Sequence, residues 1–175
     1  MGWFSPVKGS YPSLAQVDKT LPLDSGIKIE RGMILALGST DGKPVWKLPT
    51  SADKLLYVAL QDSTDPTAGF AGTSFDPKGG VPAITGIDLA QDGEYETSVF
   101  KGDGYEIGKA LYAGADGFLT TANSGGDVVG YVTSVPTERW INNAIATPPG
   151  MEEEYQRLAY RTGASRTVIR FKTAV

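Results

Sequence analysis

The chain has 175 residues, 41% of them hydrophobic, with 16 basic against 20 acidic side chains and neither Cys nor His. That length holds one ordinary core plus extensions. The missing Cys excludes disulfides, thiolate metal sites and Cys nucleophiles. The missing His removes the commonest general base and transition-metal ligand. An enzyme is therefore not expected, nor any cofactor or metal.

Gly and Pro are abundant, at 22 and 11 residues, without a triplet period. Frequent turns between short strands account for them. No apolar run reaches the roughly 18 residues that span a bilayer. The start, Met1 to Lys8, lacks a basic segment followed by an apolar one and does not read as a secretory signal. Charge is uneven: residues 1–61 carry 7 basic and 5 acidic side chains, 62–127 carry 3 and 11, and 128–175 carry 6 and 4. Mildly basic ends around an acidic middle suit head-to-tail contact between copies, or equally a solvated acidic face.

Residues 1–26 read as an extended N-terminal arm. Trp3, Phe4, Tyr11 and Leu14 are scattered among Pro6, Pro12 and Pro22 with no period of 2.0 or 3.6. Apolar side chains on such an arm need a partner surface, either the chain's own body or another subunit; for the second, these four are the candidate interface residues. Removing the arm is expected to leave the body folded.

A β-rich body is expected over 27–147. Strands are read at Ile27–Leu37, with a turn or bulge at Glu30–Gly32, and at Val45–Leu48 and Leu55–Leu60. A long loop fills 61–82. Strands resume at Val81–Leu89 and Glu94–Lys101, separated by an Asp92-Gly93 turn. Arg139–Ala146 is ambiguous between strand and helix. Residues 148–175 are expected to hold a helix and a final strand. The helix is read over Met151–Thr162, with Glu152–Glu154 in its first turn, Arg157 and Arg161 near its end, and Gly163 as its cap. The strand is read over Arg166–Lys172.

Within the body one phrase occurs twice. The first copy runs Gly32–Leu37, Asp41-Gly42, Pro44–Leu48, Leu55–Leu60. The second runs Gly108–Tyr112, Asp116-Gly117, Phe118–Thr121, Asp127–Thr133. Asp-Gly between apolar runs is a strong hairpin signal, because both residues accept positive φ. The fold class expected is mainly all-β: a small barrel or sandwich of short hairpins, with the arm and one C-terminal helix.

Chemistry-bearing motifs are weak. Gly104–Ala110 imitates a phosphate loop, but one residue too few separates its glycines and Ala110 stands where Ser or Thr would hold magnesium. The acidic groups Asp62/Asp65, Asp88/Asp92/Glu94 and Asp103/Glu106 lack the alternating spacing of a calcium loop. No carboxylate pair or Ser–Lys pair is singled out. Trp46, inside a strand, reads as core, whereas Trp3 and Trp140 could stack on a ligand. The acidic balance and the lack of a dense basic stripe disfavour nucleic acid.

Gly108-Lys-Ala-Leu-Tyr112, Asp116-Gly-Phe-Leu-Thr120 and Val129-Gly-Tyr-Val132 together resemble the body of tailed-bacteriophage capsid decoration (head-stabilising, or cement) proteins, the lambda-type β-rich module. The resemblance spans about residues 27–135. It implies a virion protein, made in the host cytoplasm and seated as a homotrimer on the outer face of an expanded capsid. Its partner would be the major capsid protein, with no membrane and no nucleic acid involved. The arm, with Trp3, Phe4, Tyr11 and Leu14, would attach by strand addition. The alternatives are another phage morphogenesis part, such as a tail-tube or fibre-base module, and a carbohydrate-binding or hydrolytic β-domain.

Overall fold

The computed structural model describes residues 2–7, 18–24, 26–60, 62–63, 74–75, 82–90, 92–141 and 164–174. Among them the structure is built from β-strands: β1 (Phe4–Pro6), β2 (Asp18–Pro22), β3 (Ile34–Thr40), β4 (Lys43–Lys47), β5 (Leu56–Ala59), β6 (Ser74–Phe75), β7 (Pro82–Asp88), β8 (Glu94–Thr97), β9 (Ala110–Ala113), β10 (Leu119–Thr120), β11 (Gly130–Ile141) and β12 (Ala164–Thr173). They form two antiparallel sheets, each curled into half a barrel. One runs β2-β7-β5-β3-β4, with β6 on β7. The other runs β1-β8-β12-β11-β9-β10.

The hairpin signals act as their chemistry dictates. Thr40 pairs with Lys43 across a two-residue loop, Asp41 at φ 51° and Gly42 at φ 74°. Two consecutive positive φ values give the primed turn whose twist matches that of paired strands. In the second copy a wider loop joins β9 and β10. Asp116 Oδ1 accepts from Phe118 N, and Gly117 takes φ 81°.

The repeat extends well beyond the phrase. In chain order the first module is β2, β3, β4, β5, β7 and the second is β8, β9, β10, β11, β12. Both sheets stack their members in the order first, fifth, fourth, second, third. Individual bonds recur as well. Gly32 N–H donates to Ala59 O as Gly108 N–H donates to Val132 O, both at 2.8 Å. Met33 N–H reaches Glu30 O at 3.0 Å, and Lys109 N–H reaches Glu106 O at 2.9 Å. Leu89 N–H reaches Leu56 O, and Ala174 N–H reaches Val129 O, both at 3.1 Å. In each module a parallel bridge ties a residue shortly past the first strand to the third, Leu23 to Trp46 and Phe100 to Leu119.

Two expectations are corrected. Phe4 is not a free anchor on an arm. It is 1% exposed and stacks on Tyr95 at a ring separation of 4.9 Å, because β1 pairs with β8 some ninety residues on. The 1–26 segment therefore contributes β1 to one sheet and β2 to the other. Strand Glu94–Lys101 is not half-exposed where it is paired: β8 lies between β1 and β12 and its Tyr95, Glu96 and Thr97 are all buried. The final strand read over Arg166–Lys172 is present as β12, which lies between β8 and β11, with Ile169 and Phe171 fully buried. The Arg139–Ala146 stretch is strand as far as Ile141. The Met151–Thr162 helix lies outside the described residues, as do Tyr11, Leu14 and most of the 61–82 loop.

Candidate functional site

The longest strand pair projects past its neighbours. β11 and β12 stay paired from Gly130↔Thr173 to Ile141↔Ala164. β9 covers only Gly130 and Tyr131 of β11, and β8 covers only Ile169 to Lys172 of β12. Beyond these points the two strands form a ribbon with no further strand partner among the described residues. Pairing shifts between Val132 and Ser134 and again before Thr137. Such bulges bend and twist a strand pair. Residues 135–140 are exposed throughout, Val135 to 41% and Trp140 to 49%.

An ion network ties the ribbon to the body. Glu96 on β8 is 5% exposed. Its Oε2 accepts from Arg170 Nε at 3.0 Å and from Arg139 Nη1. Arg139 and Arg166 face each other across the ribbon. Like charges placed so are unfavourable unless anions compensate, and Glu96 supplies one of them.

At the N-terminus Trp3 is half-buried, with the Arg31 guanidinium 5.0 Å from its ring centre. Arg31 is 7% exposed; its Nη2 donates to Phe4 O at 2.9 Å and its backbone N–H to Asp62 Oδ1 at 2.7 Å. Burial lowers the Arg31 pKa, and Asp62 opposes that shift. Of the four expected anchors, Phe4 is therefore core and Trp3 is held against the chain's own Arg31.

The remaining sequence candidates are engaged structurally or dispersed. Gly108 N–H, in the phosphate-loop imitation, is already used by Val132 O. Asp62 is buried against the Arg31 turn, and Glu94 Oε1 accepts from Thr133 Oγ1 at 2.6 Å. Among the described residues no three His, Cys, Asp or Glu side chains cluster to hold a metal. Trp46 is core as expected, 0% exposed, with Nε1 donating to Ile84 O at 2.6 Å.

A cavity of about 170 Å³ lies where the modules meet. Its walls are counterpart residues: Leu55 and Leu56 from one module, Val128 and Val129 from the other, with the Lys54–Asp127 ion pair at 2.7 Å. Sequence reasoning missed both the ribbon and this junction. The doubled phrase was the signal for the junction, and nothing local marked the ribbon.

Comparison with protein-family models, with curated proteins and with solved structures returned no match.

Proposed function

We propose that this chain is a structural protein of a virion that binds the outer surface of a bacteriophage capsid and stabilises the expanded shell, with the major capsid protein as its partner and a homotrimer as its working form. The observation supporting this reading is the β11–β12 ribbon. It leaves Val135 and Trp140 exposed and is tied to β8 by Glu96, which accepts from Arg170 and from Arg139 beside Trp140. A pre-ordered projection loses little conformational freedom on docking. Aromatic side chains such as Trp140 supply disproportionate binding energy once desolvated. The resemblance of residues 108–132 to decoration modules supports the same reading.

The test is density-gradient sedimentation of the source material, following the chain by its peptides. Co-migration with a multi-megadalton particle in many copies is expected. Recovery only as a small soluble species overturns the reading. Trp140→Ala should reduce occupancy of the particle while the chain remains folded. The exposed Trp140 also favours a carbohydrate-binding reading, which would show as polysaccharide binding abolished by the same substitution.

A further inference from the structure

Away from the Lys54–Asp127 junction, where counterparts meet, the contact between the two modules runs one way. In the first module the turn Ile29–Met33 is packed against the second. A Cβ on Gly32 would stand 2.9 Å from Val99 Cγ2 and 3.1 Å from Thr97 Oγ1. Ile34 N–H, two residues on, donates to Gly117 O at 2.7 Å. In the second module the matching turn is Tyr105–Lys109, fixed by the same bonds to Glu106 O and Val132 O. It meets nothing. Gly108, with φ 83° against 95° at Gly32, has no heavy atom within 4 Å of where a Cβ would stand. Ile107, in the place of the buried Arg31, is 75% exposed.

A two-fold relation would have buried both turns alike. A one-way contact is heterologous, and a heterologous contact leaves one unused face at each end of the pair. One unused face is the Ile107 turn. The other is the first module's counterpart of Thr97, Val99 and Gly117, which pairing register, the equivalent parallel bridges and hairpin position identify as Leu21, Pro22 and Pro44. Pro22 and Pro44 are exposed there, and Leu21 and Leu23 are half-buried. The chemistry of the turn agrees. Arg31 needs the Phe4 carbonyl that β1 brings to the outer edge of β8. The matching edge of β2 carries no such strand among the described residues, and Ile107 needs no acceptor.

We propose that a second copy of this chain docks its Leu21–Leu23 and Pro44 face on the Ile107 turn, repeating between copies the contact that joins the modules within one. The contact is apolar at Ile107, flanked by the exposed Asp103, Glu106 and Lys109. It is a property of the purified chain and does not rest on the capsid reading.

The chain has no Cys, so single thiols can be placed at will. Full-length Ile107→Cys and Pro44→Cys proteins are mixed with a short bis-maleimide. Linked dimers are expected to form several-fold faster than in a mixture of Ile107→Cys with Val135→Cys. Sedimentation velocity of the unmodified chain should show association rising with concentration. Ile107→Asp, and the milder Ile107→Ser, should abolish it with the melting temperature unchanged. Three results would overturn the proposal. They are a single-copy species at every concentration, no rate advantage for the Ile107/Pro44 pair, or faster linking of Ile107→Cys to itself, which would mean a symmetric contact.

Discussion

Trp46 shows how one side chain sets the tolerance of its neighbours. Its ring fills the space above Gly86, where a Cβ would lie 2.8 Å from Cζ2, and its Nε1 is tethered to Ile84 O. The ring cannot retreat without losing that bond. Gly86→Ala should therefore cost about 1–3 kcal/mol by overpacking, measured by urea denaturation. Gly38→Ala is the contrast: its methyl would meet the Lys47 stem at 3.0 Å, and that flexible side chain can move aside. A stability loss at Gly38 equal to that at Gly86 would remove this explanation. Tyr105 gives a pH dependence. Burial pushes its phenol up to about 12, and its hydroxyl donates to Lys101 O at 2.7 Å. The unfolded chain ionises near pH 10. The raised folded value means that stability is fully present below about pH 10 and is lost as pH rises through about 12. Tyr57 and Tyr95 are shifted upward by burial too. Tyr105→Phe should thus flatten part, not all, of the fall in denaturation midpoint between pH 9 and 12. An unchanged slope would show that Tyr105 does not carry the effect.

At the scale of elements, hairpins were legible because their determinants are local. Asp41 and Gly42 sit between alternating apolar residues, and only small or self-bonding residues accept that pair of φ values. Gly42→Ala should cost about 1–2 kcal/mol, the penalty of a side chain in left-handed backbone, read as a drop in denaturation midpoint. Strand β1 and the burial of β8 were not legible, for the opposite reason. Phe4 stands beside Pro6 with no alternating pattern around it, and its burial is decided by Tyr95 and Phe171 far along the chain. The ribbon of β11 and β12 was hidden because its exposed stretch, Val135 to Trp140, follows no period, and its anchor, Glu96, comes from a third strand. That anchor can be tested by its asymmetry. The Glu96 side chain is 7% exposed, while those of Arg139 and Arg170 are 43% and 40% exposed. Removing the glutamate lets both cations hydrate. Removing both cations strands a buried anion, a loss of about 3–5 kcal/mol where a buried pair is broken. The Arg139→Ala/Arg170→Ala pair should destabilise more than Glu96→Gln, and by more than the two single changes summed. Strict additivity in a double-mutant cycle would mean that the arginines do not share Glu96.

For the whole molecule the question is whether two modules mean two folding units. The doubled phrase suggested a repeat, and register and bonding carry it through five strands of each sheet. The cores, however, are not separate. One cluster joins Ile34, Val58 and Ile87 from the first module to Tyr105, Leu111 and Ile169 from the second, and the other places Val99 and Phe118 among first-module residues. Strand β1 precedes the first module in sequence but pairs in the second module's sheet. Neither half can bury its apolar face without the other, so local stability should merge into one cooperative transition. Heat or urea should unfold the described body with coincident far-UV and tryptophan signals, Trp46 reporting from the first module's sheet. Phe4→Ala gives the sharper test. Truncating a fully buried Phe costs about 3–5 kcal/mol. If the modules are one unit, that loss should shift the whole transition, including the Trp46 signal, although Phe4 lies in the other sheet. A biphasic curve, with Trp46 unfolding at its original midpoint, would show that the modules fold independently and that β1 is only an attached arm.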